Sequence, residues 1–135
     1  MSLYLCVFAG GREVAGVEVG SYADFNACRD AIARVCEGGS PGSRFPTLML
    51  HSDCAGEWPA AACGRLRDEL ATIAAEMKAS PPVGRPGAGS QDAPAPPGPS
   101  HADECFVDVD GEILLQRLQE LVAIALAERQ PILFQ

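Results

Sequence analysis

Leu3-Tyr4-Leu5-Cys6-Val7-Phe8-Ala9, then Gly10-Gly11, then Val17-Glu18-Val19: this stretch decides the fold. Successive side chains of an extended chain point to opposite faces, so Leu3, Leu5 and Val7 share one side and Tyr4, Cys6 and Phe8 the other. A strand that is apolar on both sides belongs in the middle of a sheet. The paired glycines suit a tight hairpin turn, and Val17-Glu18-Val19 alternates as the returning strand.

Working outward, Ser21 stands as the N-cap of a first helix, with Asp24 three residues on in a capping-box relation. Phe25, Cys28, Ile32 and Val35 recur at helical spacing, and the run Gly38-Gly39-Ser40-Pro41-Gly42 stops the helix. Thr47-Leu48-Met49-Leu50, a short apolar run after Pro46, predicts a third strand. Pro59 suits the first turn of a second helix, which reaches about Lys78 and buries Leu66, Leu70, Ile73 and Met77. Cys105–Val109 predicts a further strand. Asp110 then caps a third helix whose inner face carries Leu114, Leu118, Leu121 and Ala125, widened by Leu115 and Val122. Pro131–Gln135 closes as a short terminal strand. The expected fold is α+β: one mixed or antiparallel sheet of about five short strands against three helices, in a single domain over residues 1–135.

Within that domain, residues 80–104 differ from the rest. Between Ser80 and Ser100 lie seven prolines and four glycines, and Val83 is the only bulky aliphatic residue. Such a segment buries too little apolar surface to offset its ordering entropy, so a flexible insertion is expected. The abrupt change of composition suits a lineage-specific loop or a local slip of reading frame.

The whole chain has 135 residues, 18 acidic against 10 basic, for a formal net charge of −8. Apolar residues make up 47% and charged residues 21%. This length buries enough surface to fold without metal or disulfide. The acidity argues against a nucleic-acid partner, because phosphate contacts need clustered cations. No apolar run approaches the roughly 18 residues of a membrane span. The N-terminus has no cation before Arg12 and too short an apolar run for a secretory signal, which points to the cytoplasm. Thiols stay reduced there. The six cysteines show no C-x-x-C or zinc-type pair, and most read as small core residues. Cys28 and Cys36, on one helix, stand about 12 Å apart along its axis, beyond disulfide reach.

Two clusters carry potential chemistry. His51-Ser52-Asp53-Cys54 gathers reactive types, and a Cys54 nucleophile with His51 as base is conceivable. Consecutive neighbours seldom align as a catalytic relay, so a polar loop leading into a helix is the plainer reading. Phe106-Val107-Asp108-Val109-Asp110-Gly111-Glu112 resembles the first motif of haloacid-dehalogenase-like phosphatases. Here it stands too near the C-terminus for the body and later motifs of that superfamily, and Glu112 departs from the pattern. A calcium loop is excluded because Ile113, Leu114 and Leu115 fill ligand positions. Gly10-Gly11 lacks any phosphate-binding pattern. Neither a metal nor a cofactor is expected.

Taken together, LYLCVF, EVAGVEVGSYADFNACRD, SRFPTLMLHSDCAGEW and FVDVDGEILLQRLQELVAIAL with the ending PILFQ resemble the Immunity protein 70 family. The resemblance covers residues 2–80 and 104–135. It implies a non-enzymatic cytoplasmic protein of bacterial polymorphic-toxin systems that binds and neutralises a cognate toxin domain. Against a basic toxin, the acidic side chains Asp53, Glu57, Asp108, Asp110 and Glu112 are the candidate contacts, with Trp58 as an anchor. Two readings compete with it. One is a small structural or adaptor domain, with a homodimer possible; the other is a small hydrolase using His51/Cys54 or Asp108/Asp110.

Overall fold

The computed structural model describes residues 2–52, 55–81 and 101–135. The opening hairpin pairs β1 (Ser2–Ala9) with β2 (Arg12–Ser21). Gly10 and Gly11 make its two-residue turn at φ +61° and +81°, angles that side-chain-bearing residues rarely adopt. Two residues of β2, Val14 and Val19, have no opposite number on β1 and form bulges. β1 is central, as its two apolar faces require. Its other flank is taken by β4 (Ile132–Phe134), which pairs in turn with β3 (Glu57–Trp58). The order is β2-β1-β4-β3, and every neighbouring pair is antiparallel.

Helix α1 (Tyr22–Cys36) starts at the capping box expected of it. Ser21 Oγ accepts from Asp24 N, and Asp24 Oδ2 accepts from Ser21 N, each at 3.0 Å. Helix α3 (Ala60–Lys78) buries Cys63, Leu66, Leu70, Ile73 and Met77, and helix α4 (Leu114–Glu128) buries the stripe read from the sequence. α1 and α4 lie on the β1–β2 hairpin, while α3 packs against both of them. Leu3, Leu5, Val7, Val17, Ile132 and Phe134 point into this core. Each such side chain contributes about 1.5–3 kcal/mol of apolar burial. On the opposite sheet face Phe8 and Glu18 are exposed.

The structure corrects several expectations. The sheet has four strands, not five, and there are four α-helices among the described residues. The run after Pro46 is not a strand but helix α2 (Pro46–Met49). Side chains distant in sequence make it so. Glu69 accepts from the free amides of Thr47 and Leu48, and Arg29 donates to the carbonyls of Leu48, Met49 and His51. A carboxylate at one end and a guanidinium at the other satisfy the groups that a single helical turn leaves open.

The strand expected at Cys105–Val109 is absent. A 3-10 helix (Ala102–Cys105) is followed by a loop with one bridge, Val107 to Ile113. Both flanks of β1 are already paired, so the sheet has no inner place for this segment. Asp110 does not cap α4; Ile113 holds that position without a side-chain bond. Conversely, Glu57-Trp58, which carried no strand expectation, lies in the sheet. Residues 82–100 fall outside the described residues. Their flanks meet: Ala102 N donates to Ser80 O at 3.0 Å, with Ala102 fully buried.

Candidate functional site

The candidate residues separate to the two edges of the sheet. At the β3 edge, Trp58 is 2% exposed and packs edge-on against Phe134, with ring centroids 4.8 Å apart. Its indole N–H donates to Thr47 O at 2.9 Å. Trp58 is therefore a core residue and not a surface anchor. Glu57 is exposed beside it. Gly56 O accepts from Phe134 N, so by strand alternation the main chain of Glu57 faces away from β4. Its carbonyl lies 2.8 Å from His51 Nε2, and His51 Nδ1 lies 2.8 Å from Ser52 O. The imidazole also stacks on Phe134 at 4.2 Å. Both ring nitrogens face carbonyl oxygens, which only accept, so neither stands free as a general base. Asp53 and Cys54 lie outside the described residues.

At the other edge, residues 106–114 form a closed loop. Asp108, with no exposed side-chain surface, accepts from Asp110 N and Glu112 N through Oδ1 and from Arg117 Nε through Oδ2. The bonds Asp108 N to Glu112 O and Leu114 N to Phe106 O complete the turn, with Gly111 at φ +85°. Asp108 thus holds a loop together from inside and offers no free oxygen for nucleophilic attack, while its bond holds the Arg117 guanidinium above its ordinary pKa. Asp110 and Glu112 are exposed at the rim of that loop. The six proposed contact residues therefore do not form one surface: Asp110 and Glu112 sit by β2, Glu57 by β3, Asp108 and Trp58 point inward, and Asp53 is undescribed.

The loop also docks on β2, where Val109 N donates to Glu18 O at 3.1 Å. Glu18 O therefore points outward, and strand alternation turns Gly16 outward too. The far side of β1 agrees. Tyr4, opposite Glu18, exchanges both main-chain bonds with Gln135 and so turns away from β2. Past this junction, the outward main chain of Gly16 has no partner among the described residues. Next to it lies a groove of about 210 Å³ between β2 and α4, lined by Ala15, Gly16, Val17, Arg117, Glu120, Leu121 and Ile124. Ile124 in its lining is 36% exposed, Val14 at the neighbouring bulge is 40% exposed, and Val109 stands 53% exposed at the docked loop. Sequence reading missed this groove. Its one local sign is a glycine in mid-strand, which marks close approach of another group. Here the approach is internal, since a Cβ on Gly16 would collide with the Tyr4 ring.

Elsewhere the reactive types are inert. The five described cysteines are buried and unpaired. Burial pushes the Cys28 thiol up to about 12 and the Cys36 thiol up to about 11, far from a reactive thiolate. The Tyr4 hydroxyl is pushed up to about 12 by burial and by the neighbouring Glu13 carboxylate. Among the described residues no group of three His, Cys, Asp or Glu side chains is placed to hold a metal, and no helix is long and apolar enough to cross a membrane.

The family model of Immunity protein 70 matches residues 3–134. No curated protein and no solved structure matches the chain.

Proposed function

The chain belongs to the Immunity protein 70 family, and from that membership we propose that it is a non-enzymatic immunity protein, which binds a cognate bacterial toxin domain and neutralises it in the cytoplasm. The observation that carries this reading is the extent of the match, which spans the hairpin, all four helices and the terminal strand. The local geometry supports it. Inhibition by binding needs a complementary surface and no chemistry, and the groups that a hydrolase would use are committed to structure: the His51 ring between two carbonyls, the Asp108 oxygens to their own loop. A formal net charge of −8 accelerates encounter with a basic toxin and suppresses association between copies of the chain.

The test is co-expression with the product of the adjacent gene. The expected result is that the neighbour alone arrests growth, that this chain restores it, and that the two co-purify as a one-to-one complex. A neighbour that is harmless alone, or a chain that neither binds nor rescues, would refute the proposal and leave the adaptor reading.

A further inference from the structure

We infer that the sheet face turned away from the helices is the docking surface for the toxin, with Tyr4, Phe8 and Leu133 as its apolar centre and the carboxylates of Glu13, Glu18 and Glu57 as its rim. This rests on the immunity reading above and names the surface, and the chemistry of the partner, that would serve it.

Strand pairing brings these side chains together. Directly opposed residues share a face, so Glu57, Leu133, Cys6 and Gly16 form one row across all four strands. The pairs Tyr4–Glu18 and Phe8–Glu13 lie on either side of that row, on the same face. Its apolar members do not belong to the core. Cys6 has no exposed surface, yet it stands with Tyr4, Phe8 and Leu133 outside the cluster that the helices share with Leu3, Leu5 and Val7. An antiparallel sheet with one wet face carries polar side chains there, whereas a strand apolar on both faces is one covered on both. Helices cover only one face of β1. On the other, the tip of the Tyr4 ring occupies the space above Gly16, where any Cβ would collide with it.

The distribution of charge says what fits this face. Apolar side chains occupy the two inner strands, β1 and β4, and carboxylates the two outer ones, β2 and β3. An apolar centre with aromatic anchors inside a polar rim is the layout of a protein interface. All three carboxylates are exposed, and among the described residues none pairs with a Lys or Arg. The paired rows themselves contain no cation. Rim carboxylates left without counter-charge select a partner that carries Lys or Arg around an apolar patch, and they steer its approach. A second copy of this chain is the poorer occupant, because it would set three carboxylates against three and bring together two molecules of charge −8.

The test uses the full chain and the adjacent gene product. Hydroxyl-radical footprinting compares the labelling of Tyr4 and Phe8 in the free chain and in the complex. Affinities are measured for Phe8→Asp, Glu18→Lys and Glu57→Lys, with Asp68→Lys, exposed on α3, as a control of equal charge change. Footprinting needs no variant, so it decides the matter even where a substitution disturbs folding, which thermal unfolding reveals. Expected are labelling of Phe8 in the free chain and its protection in the complex. Each variant on the face should lose at least about tenfold in affinity, and Asp68→Lys less than about threefold. If the parent binds and rescues but Phe8 stays labelled and the face variants bind no worse than Asp68→Lys, this surface is wrong while the immunity reading stands. Should the parent neither bind nor rescue, the immunity reading falls and takes this surface with it. Protection of Phe8 in the free chain would show the face already covered, by a second copy if the mass is that of a dimer and by the chain itself if it is monomeric; either overturns the proposal.

Discussion

The two edges of this sheet receive opposite treatment. At β3 the strand is cut to two residues, an aromatic cluster of Trp58, Phe134 and His51 encloses it, and a ring nitrogen sits on its outward carbonyl. At β2 the strand keeps ten residues, a loop held by Asp108 covers one end, and beside a groove the outward main chain of Gly16 has no partner among the described residues. Side chains that converge on the first edge stabilise the fold. Those that fringe the second are exposed valines and an isoleucine, which contribute little to folding. One sheet thus has one margin enclosed by side chains and another left partly uncovered among the described residues.

Substitutions can break or sharpen that contrast. Trp58→Ala should have the largest effect, lowering stability by about 3–5 kcal/mol through the cavity it leaves and the stranded carbonyl of Thr47; chemical denaturation measures it. A loss under 1 kcal/mol would mean that the β3 edge is not the stabilising one. Asp108→Ala should cost about 2–3 kcal/mol, since it leaves two loop amides and Arg117 without their acceptor. It should also speed exchange of the Val109 amide, uncapping the covered end of β2.

His51→Ala should cost about 1–2 kcal/mol and open the second edge by freeing the Glu57 carbonyl. Light scattering should then show more self-association than in the parent protein. Arg129→Gly acts away from both edges and calibrates the scale. Arg129 ends α4 in the left-handed conformation at φ +56°, where glycine avoids the Cβ penalty, so a gain of about 0.5–1 kcal/mol is expected, read as a raised thermal midpoint. Val14→Lys should change stability least, by under about 0.5 kcal/mol, because the side chain is exposed at a bulge. A large loss there would show that the β2 margin also supports the fold.

Much of the architecture was legible in the residues because its signals are local. The hairpin turn needs two residues at positive φ, and Gly10-Gly11 announces it. The capping box of α1 lies within four residues. The stripes of α3 and α4 repeat with the helical period, and the apolar faces of β1 place it centrally. The misreadings share one cause. Thr47–Leu50 is apolar and short, equally suited to a strand or a helical turn, and the groups that decide it, Arg29 and Glu69, stand about twenty positions away on either side. Of the candidate site, the clusters around His51 and Asp108 were visible, but not that each consumes its own hydrogen-bonding capacity.

The class of fold, the central strand, the buried helix faces and, through the likeness to an immunity family, the kind of function to expect all follow from the residues in order. Only the tertiary structure decided which strand is left at an edge, which carboxylates turn inward and where a groove opens. Periodicity along the chain records which face of an element is buried. Edge exposure depends on pairings between segments such as β1 and β4, more than a hundred residues apart, and no local pattern encodes them.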